Sequence, residues 1–507
     1  MKKTALIIMI ITLLSKFLGF GRDIFLSYFF GASEISDAYL ISLTVPSVIF
    51  GFIGVGIATA YIPMQSRMID EYGEESAFQF TSNFTNIILT IVTLILLLGL
   101  CFTEQIVQLF AFGFSGETLG ITVKLTKITL FGMYFSALIA IFSGYLQIKK
   151  NYIIPALIGF PLNLIVIISI FFAAKGSYII LALGTLLASA SQFLLMLPFI
   201  IKEKFKYKLI IDFKNDKIIK TLYIALPVII GTSVNQINIL VDRTIASSLS
   251  VGGISALNYA NKLNLFIQGL VVTSIITVMY PLISSYASKN NFYRIKKALT
   301  ESINIITILI LPMMIGAMIF SNQVINLLFG RGAFDENAIR MTSAALFFYS
   351  IGMLGFGLRE VLSRGFYSLQ DTKTPMINAA LGMVVNIILN IILSRYLGIG
   401  GLALATSISA IFTTLLLFIS LRKKIGPFGM KQISISFLKI LFASLVMGLL
   451  SKMSFNYLTT SLSQNLSLLL AIGVGALLYF VIIYFMKIED VDVIVGAIKK
   501  KLGRGAA

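Results

Sequence analysis

Apolar stretches of about twenty residues recur from one end of this 507-residue chain to the other, each long enough to cross a bilayer as a helix. No motif constrains the fold more. Lipid offers the backbone no hydrogen-bond partner, so a spanning segment must satisfy its own amides, as a helix does. The period-2 alternation of a transmembrane β-barrel is absent. With 58% hydrophobic and 12% charged residues and a mean hydropathy of +0.95, the chain falls among multi-spanning membrane proteins.

About fourteen segments reach crossing length, at 5–30, 38–65, 84–110, 121–147, 153–174, 178–201, 218–249, 255–287, 302–328, 338–367, 376–397, 401–422, 434–457 and 462–486. The expected fold is an all-α polytopic membrane protein. The opening Met1-Lys2-Lys3 and its apolar run are shaped like a secretory signal. No small-residue cleavage site follows, so a retained first span is expected. Cys101 is the only cysteine, and there is no histidine. Disulfides, histidine proton relays, histidine metal ligands and Ser-His or Cys-His catalysis therefore drop out. An enzyme is not excluded by this, but its commonest tools are missing, and the expectation is that the chain is not one.

A net charge of +19 suggests nucleic acid until its distribution is read. Lysine and arginine gather in short loops at 149–150, 202–220, 289–297 and 422–424 and in the tail at 499–504. The intervening loops carry Glu34 and Asp37, or Glu104 and Glu117. That alternation is the positive-inside rule, reinforced by attraction to anionic lipid heads. It places both termini on the cytoplasmic side and excludes a nucleic-acid partner.

An internal repeat is visible. "YIPMQSRMIDEYGEESAFQF" (61–80) resembles "MYPLISSYASKNNFYRIKKAL" (279–299), and "TEQIVQLFAFGF" (103–114) resembles "SNQVINLLFGRGAF" (321–334). Arg22-Asp23 in the first span is echoed by Asp242-Arg243 in the seventh. Six spans separate the copies, an even number, so the repeat is parallel with its axis along the membrane normal. The expected organisation is a six-helix lobe over 1–215, a second over 216–428, and two further spans with a basic tail over 429–507. Such repeats place a central cavity between lobes that rock against each other; a duplicated scaffold without transport is the alternative.

The polar residues inside the spans bear on that choice. Each charge at bilayer depth costs on the order of 2.5–3.5 kcal/mol, so it should face a wet cavity or a partner. In "SKFLGFGRDIFLSYFFG" (15–31), Lys16 and Asp23 lie two helical turns apart, beside a stripe of Ser15, Gly19 and Arg22. Asn235, Asn238 and Asp242 share a face of span seven with Arg243 adjacent, and Asn258, Asn261 and Lys262 cluster in span eight. The two Arg-Asp pairs could instead be buried locks. A surplus of positive charge within low-dielectric walls draws a phosphate-like anion and repels cationic drugs. In span two, Pro46, Pro63, Gly51, Gly54 and Gly56 fit either tight packing or a hinge. Asn386, Asn390 and Thr406 with Asp242 could form an all-oxygen Na⁺ site, or simply share interhelical hydrogen bonds. Arg359, Glu360 and Arg364 read as structural. "FGRGAF" and "SLQDTKTP" read as loop turns.

Together, "SKFLGFGRDI", "SDAYL", "VDRTIASSLSVGGISALNYANKL", "LLFGRGAFD" and "GFYSLQDTKTP" resemble the MurJ/MviN family of lipid II flippases, within the MATE-like multidrug/oligosaccharidyl-lipid/polysaccharide exporter superfamily. The resemblance implies a bacterial cytoplasmic-membrane transporter. Its cargo would be the undecaprenyl-pyrophosphate-linked peptidoglycan precursor, carried from inner to outer leaflet, with cell-wall synthesis proteins as candidate partners. It also implies roles. Lys16, Arg22 and Lys262 would hold the pyrophosphate with Ser15, Asn258 and Arg243 beside them, Asp23 would orient Arg22, and Asp37 would help gate the outer side. Lys16 and Lys262 stand where the family has arginine, and a family arginine in span two falls at about Phe50. Lysine keeps the charge but not the bidentate fork. Asn390 replaces a carboxylate seen in some relatives, which weakens the Na⁺ site; no other cofactor is implied. Spans thirteen and fourteen could hold the lipid tail. The rival readings are a flippase for another polyprenyl-linked oligosaccharide, a drug/cation antiporter of the same superfamily, a non-transporting scaffold and a membrane-embedded transferase.

Overall fold

The computed structural model describes residues 2–486, and among them all regular structure is helical. In chain order the helices are α1 (Lys2–Phe30), α2 (Glu34–Cys101), α3 (Thr103–Phe110), α4 (Gly116–Thr129), α5 (Gly132–Ile148), α6 (Ile153–Leu157), α7 (Gly159–Lys175), α8 (Ile179–Lys202) and α9 (Asp216–Leu249). They continue as α10 (Gly253–Ser288), α11 (Phe292–Ile319), α12 (Ser321–Phe329), α13 (Glu336–Ser368), α14 (Lys373–Leu397), α15 (Ile399–Ile425), α16 (Met430–Leu458) and α17 (Gln464–Phe485). Eleven helical stretches among the described residues are long and apolar enough to cross a membrane. The chain is thus a multi-pass membrane protein. The basic end of the tail, 499–504, lies outside the described residues.

Helix boundaries depart from the hydropathy pattern where polar sequence still favours helix. The segments expected at 38–65 and 84–110 are joined in α2, whose 68 residues run through the polar stretch between them. Arg67 and Glu71, one turn apart and in contact, support that stretch. The bend falls at Gly73, at φ +75°. Pro46 and Pro63 both lie inside α2 without ending it. The expected span 302–328 is divided at Phe320 into α11 and α12. This break has a twin: Phe102, between α2 and α3, has φ −109° and ψ 25°, and Phe320 has φ −108° and ψ 20°. The repeat read from the sequence therefore recurs in backbone geometry.

The chain forms two compact units, Met1–Ala256 with Arg331–Ala338, and Leu257–Gly330 with Ile339–Ala507. In the first, Phe78, Phe142, Tyr145, Leu146, Met196 and Ile200 tie α2, α5 and α8 into one apolar core. In the second, α10, α11, α13 and α15 share a core that includes Ile283, Ile303, Val361, Phe366 and Leu421. There α16 and α17 pack on α11 through Ile440, Met447 and Ile483, and the Tyr479 hydroxyl donates to Ile308 O at 2.7 Å.

The "SLQDTKTP" stretch is more than a turn. Asp371 accepts from Thr374 N at 3.0 Å and Thr374 Oγ1 at 2.8 Å, and it pairs with Lys424 at 2.5 Å. Burial pushes its carboxyl up, but Lys424 and the Thr374 donors outweigh that and hold it at about 2. An unfolded aspartate titrates near 3.9, so this stabilisation is complete above that pH and is lost as pH falls through about 2. Asp371→Ala should lower stability by about 1 kcal/mol through the lost cap. A thermal-unfolding series in detergent checks it: the gap from the parent should be full at pH 7 and narrow below pH 4.

Candidate functional site

In α1 the charges sit in a helix that is otherwise apolar. Arg22 folds back on its neighbour, so that Nε and Nη2 both donate to Asp23 Oδ1, at 3.2 and 3.0 Å. The Asp23 side chain is only 5% exposed, whereas Arg22 keeps 23%. One carboxylate oxygen therefore fixes the guanidinium, while the Arg22 side chain as a whole keeps partial exposure. Lys16 is exposed on the same helix. Ser15 and Gly19 lie in the seam with α7: Asn163 Nδ2 donates to Ser15 O and Gly159 O, at 3.3 and 2.8 Å. A methyl on Gly159 would strike Ser15 Oγ. Small residues thus hold α1 close to α7.

The second polar centre is a knot of loops. Asp37, 1% exposed, opens α2. Its Oδ2 accepts from Gly252 N at 2.8 Å, and its Oδ1 accepts from Ser255 N and Ser255 Oγ at 2.7 and 2.5 Å. The carboxylate thus caps the first turn of α10, where amide donors lack helical partners. Arg243 lies within electrostatic reach of Asp37, and its Nη1 donates to Ile254 O at 3.0 Å.

Two further loops close on this knot. Ala333 N, in "FGRGAF", donates to Tyr28 O at the end of α1 at 2.8 Å. Gly113 N, in the repeat-equivalent loop after α3, donates to Ser247 Oγ at the end of α9 at 3.0 Å. Each copy of the repeat thereby sends its short-helix loop to the other copy's first helix. Gly252 and Gly332 have φ of +77° and +64°. An added Cβ would come within 2.2 Å of Ala32 O and 2.3 Å of Tyr28 O respectively, so both positions demand glycine.

Sequence reasoning placed Asp37 and Arg243 among the site residues but missed Gly252, Ser255, Ser247 and Gly332. "FGRGAF" was expected to be ordinary punctuation; it is an inter-repeat contact. The available signal was that the glycine-containing loops of both copies, 111–114 and 330–334, follow matched short helices.

The remaining site residues fall in two places. In the first unit, Asn238 Nδ2 reaches Asp242 Oδ2 at 3.5 Å. In the second, Asn258 and Lys262 lie one turn apart on α10, both half-buried. There Asn390 Nδ2 donates to Asn386 Oδ1 at 2.9 Å, and Asn386 Nδ2 donates to Thr406 Oγ1 at 3.3 Å. One contact lies within α14 and the other joins it to α15, so a Na⁺ ion drawing on Asn386 Oδ1 would share that oxygen with an N–H donor.

The sequence and fold both have counterparts. A family model described as lipid II flippase MurJ matches residues 26–487. A probable lipid II flippase MurJ of Thermotoga maritima is 30% identical over 483 residues, covering 95% of this chain and 96% of the relative. The lipid II flippase MurJ of Thermosipho africanus is 31% identical over 479 residues, covering 94% and 95%. A solved structure titled lipid II flippase MurJ, inward closed conformation, superposes with a TM-score of 0.82 at 30% identity, covering 95% of this chain and 98% of that one. An inward-facing MATE-family multidrug transporter matches at a TM-score of 0.68 and 16% identity, covering 83% and 98%, which speaks to fold alone. On the family match over nearly its whole length, this chain belongs to the MurJ lipid II flippase family.

Proposed function

We propose that this protein moves lipid II from the inner to the outer leaflet of a bacterial cytoplasmic membrane by alternating access, with both termini cytoplasmic. The family match supplies the substrate. The observation that carries the chemistry is Arg22, fixed through one oxygen of Asp23 within an otherwise apolar helix yet partly exposed. A pyrophosphate presents several anionic oxygens, and a guanidinium fork meets two of them at once. By the family resemblance, Lys16 and Lys262 would add point charges and Ser15, Asn258 and Arg243 further polar groups for the headgroup. No covalent chemistry is required: the headgroup exchanges water for these cations while its polyprenyl tail stays in lipid, and α16 and α17 could shelter that tail.

On this reading the Asp37 knot is the outer gate. It joins loops 31–37, 111–114, 250–255 and 330–334, which lie on the opposite side from the basic loops by span parity. Opening it means transferring three hydrogen bonds from Asp37 to water. Membrane potential or Na⁺ would bias the reset.

The test is to express the chain in a bacterium depleted of its own lipid II flippase and follow growth. In parallel, a lipid II-cleaving enzyme added outside the cytoplasmic membrane reports outward-facing substrate. Growth with restored cleavage supports the proposal. Good expression with neither result refutes it, and growth restored only in cells lacking a different lipid-linked oligosaccharide flippase would move the substrate to that class.

A further inference from the structure

Between α8 and α9 the chain crosses the second arm of α2 as an irregular strap held almost wholly by side chains. Asn86 Nδ2 donates to Lys208 O and Ile210 O, at 3.2 and 2.9 Å. Asn83 bonds both the carbonyl and the amide of Asp212, at 3.0 and 2.8 Å. Ser82 Oγ accepts from Lys208 N at 3.1 Å, and Tyr207 OH donates to Asn86 Oδ1 at 2.6 Å. Lys208 pairs with Glu75 at 2.7 Å.

With one face so occupied, the other presents a row, which Tyr207 joins by its exposed ring while its hydroxyl stays on Asn86. Tyr207, Leu209, Ile211 and Phe213 are 55%, 80%, 54% and 52% exposed. A tight turn, in which Ile210 N donates to Lys208 O at 3.0 Å, throws Leu209 furthest out. Isolated exposed apolar residues need no explanation, but four alternate ones in a row do. Lys204 and Lys206 precede the row and Lys214 follows it.

We propose that the strap is a membrane-interface anchor, its apolar row entering the boundary between headgroups and acyl chains on the basic side of the bilayer. Three observations favour lipid over a protein partner. The strap starts where α8, a membrane-length helix, ends at Lys202, so it leaves from the water–lipid boundary. The row continues the exposed apolar surface of Ile201 on α8 and of Ile219 and Tyr223 on α9. The lysines suit anionic headgroups, toward which their long side chains snorkel, and tyrosine is at home in that layer. Anchored in lipid and pinned to Asn83 and Asn86, the strap fixes the start of α9 against α2. This inference stands apart from the substrate assignment.

The chain contains no tryptophan, so Leu209→Trp in the full-length protein creates a sole tryptophan, excited selectively beyond the tyrosine absorption. The variant is reconstituted alone into phosphatidylcholine–phosphatidylglycerol vesicles whose acyl chains carry bromine near the glycerol end. Interfacial burial of about 5–10 Å should cut its emission about twofold relative to unlabelled vesicles. Lys289→Trp, in the loop after α10, should be unaffected. Phe213→Trp serves if the first variant fails to fold. Emission insensitive to bromine but quenched by aqueous iodide would place the row in water, and emission insensitive to both would bury it against protein. Either result overturns the anchor.

Discussion

Arg22→Ala is expected to cut lipid II translocation at least about 100-fold and to abolish growth in the flippase-depleted strain. The magnitude follows from one bidentate, charge-assisted contact to pyrophosphate of about 3 kcal/mol, at about 1.4 kcal/mol per decade. The same change strips Asp23 of its guanidinium, and breaking a buried pair costs about 3–5 kcal/mol in stability. Loss of function alone would therefore be ambiguous. The double variant Arg22→Ala/Asp23→Asn removes the buried charge as well and should recover most of the thermal midpoint without recovering translocation. Arg22→Lys should fall between, keeping charge but losing the fork. If the double variant folds and translocates at the parental rate, the anion-binding role of Arg22 is wrong.

Asp37→Ala should loosen the knot of loops by about 3 kcal/mol, because it leaves Gly252 N, Ser255 N and Ser255 Oγ without their acceptor. That corresponds to about 100-fold faster hydrogen exchange at the amides of Gly252 and Ser255, readable by mass spectrometry on peptides spanning 250–256. Asp37→Asn is the sharper comparison. It keeps size and one acceptor oxygen but turns an N–H toward one of the backbone donors, so exchange should still accelerate. Unchanged protection at 250–256 in the alanine variant would mean that packing around Gly252 and Gly332, rather than the carboxylate, holds the loops closed. In cells both variants should translocate less, since a gate that stays ajar uncouples the two access states.

How much of this was legible before any coordinates depended on the range of the interaction involved. The basic loops, the parallel repeat and the oddity of Arg22-Asp23 were visible from hydropathy and charge. The join between two expected spans in α2 was hidden, because a polar helix crossing between spans looks like a loop to a hydropathy reading. Asp37 was noticed as a family acid, but nothing in "SDAYL" says that its partners are the backbone of Gly252 and the amide and hydroxyl of Ser255, more than two hundred residues away. The lipid-facing row of the strap was hidden for a related reason. Its tyrosine, leucine, isoleucine and phenylalanine lie among lysines in a segment that reads simply as a basic linker.

The sequence by itself determined an all-helical, membrane-spanning, internally repeated chain, because burial in lipid and retention of positive charge act on runs of neighbouring residues. Tertiary structure alone decided which charges are held and which stay open, and which glycine loops meet. Those outcomes turn on ångström-scale distances: the two donors Arg22 aims at one oxygen of its neighbour Asp23, and the backbone of Ala32, far away in the chain, pressed so close to Gly252 that no side chain fits.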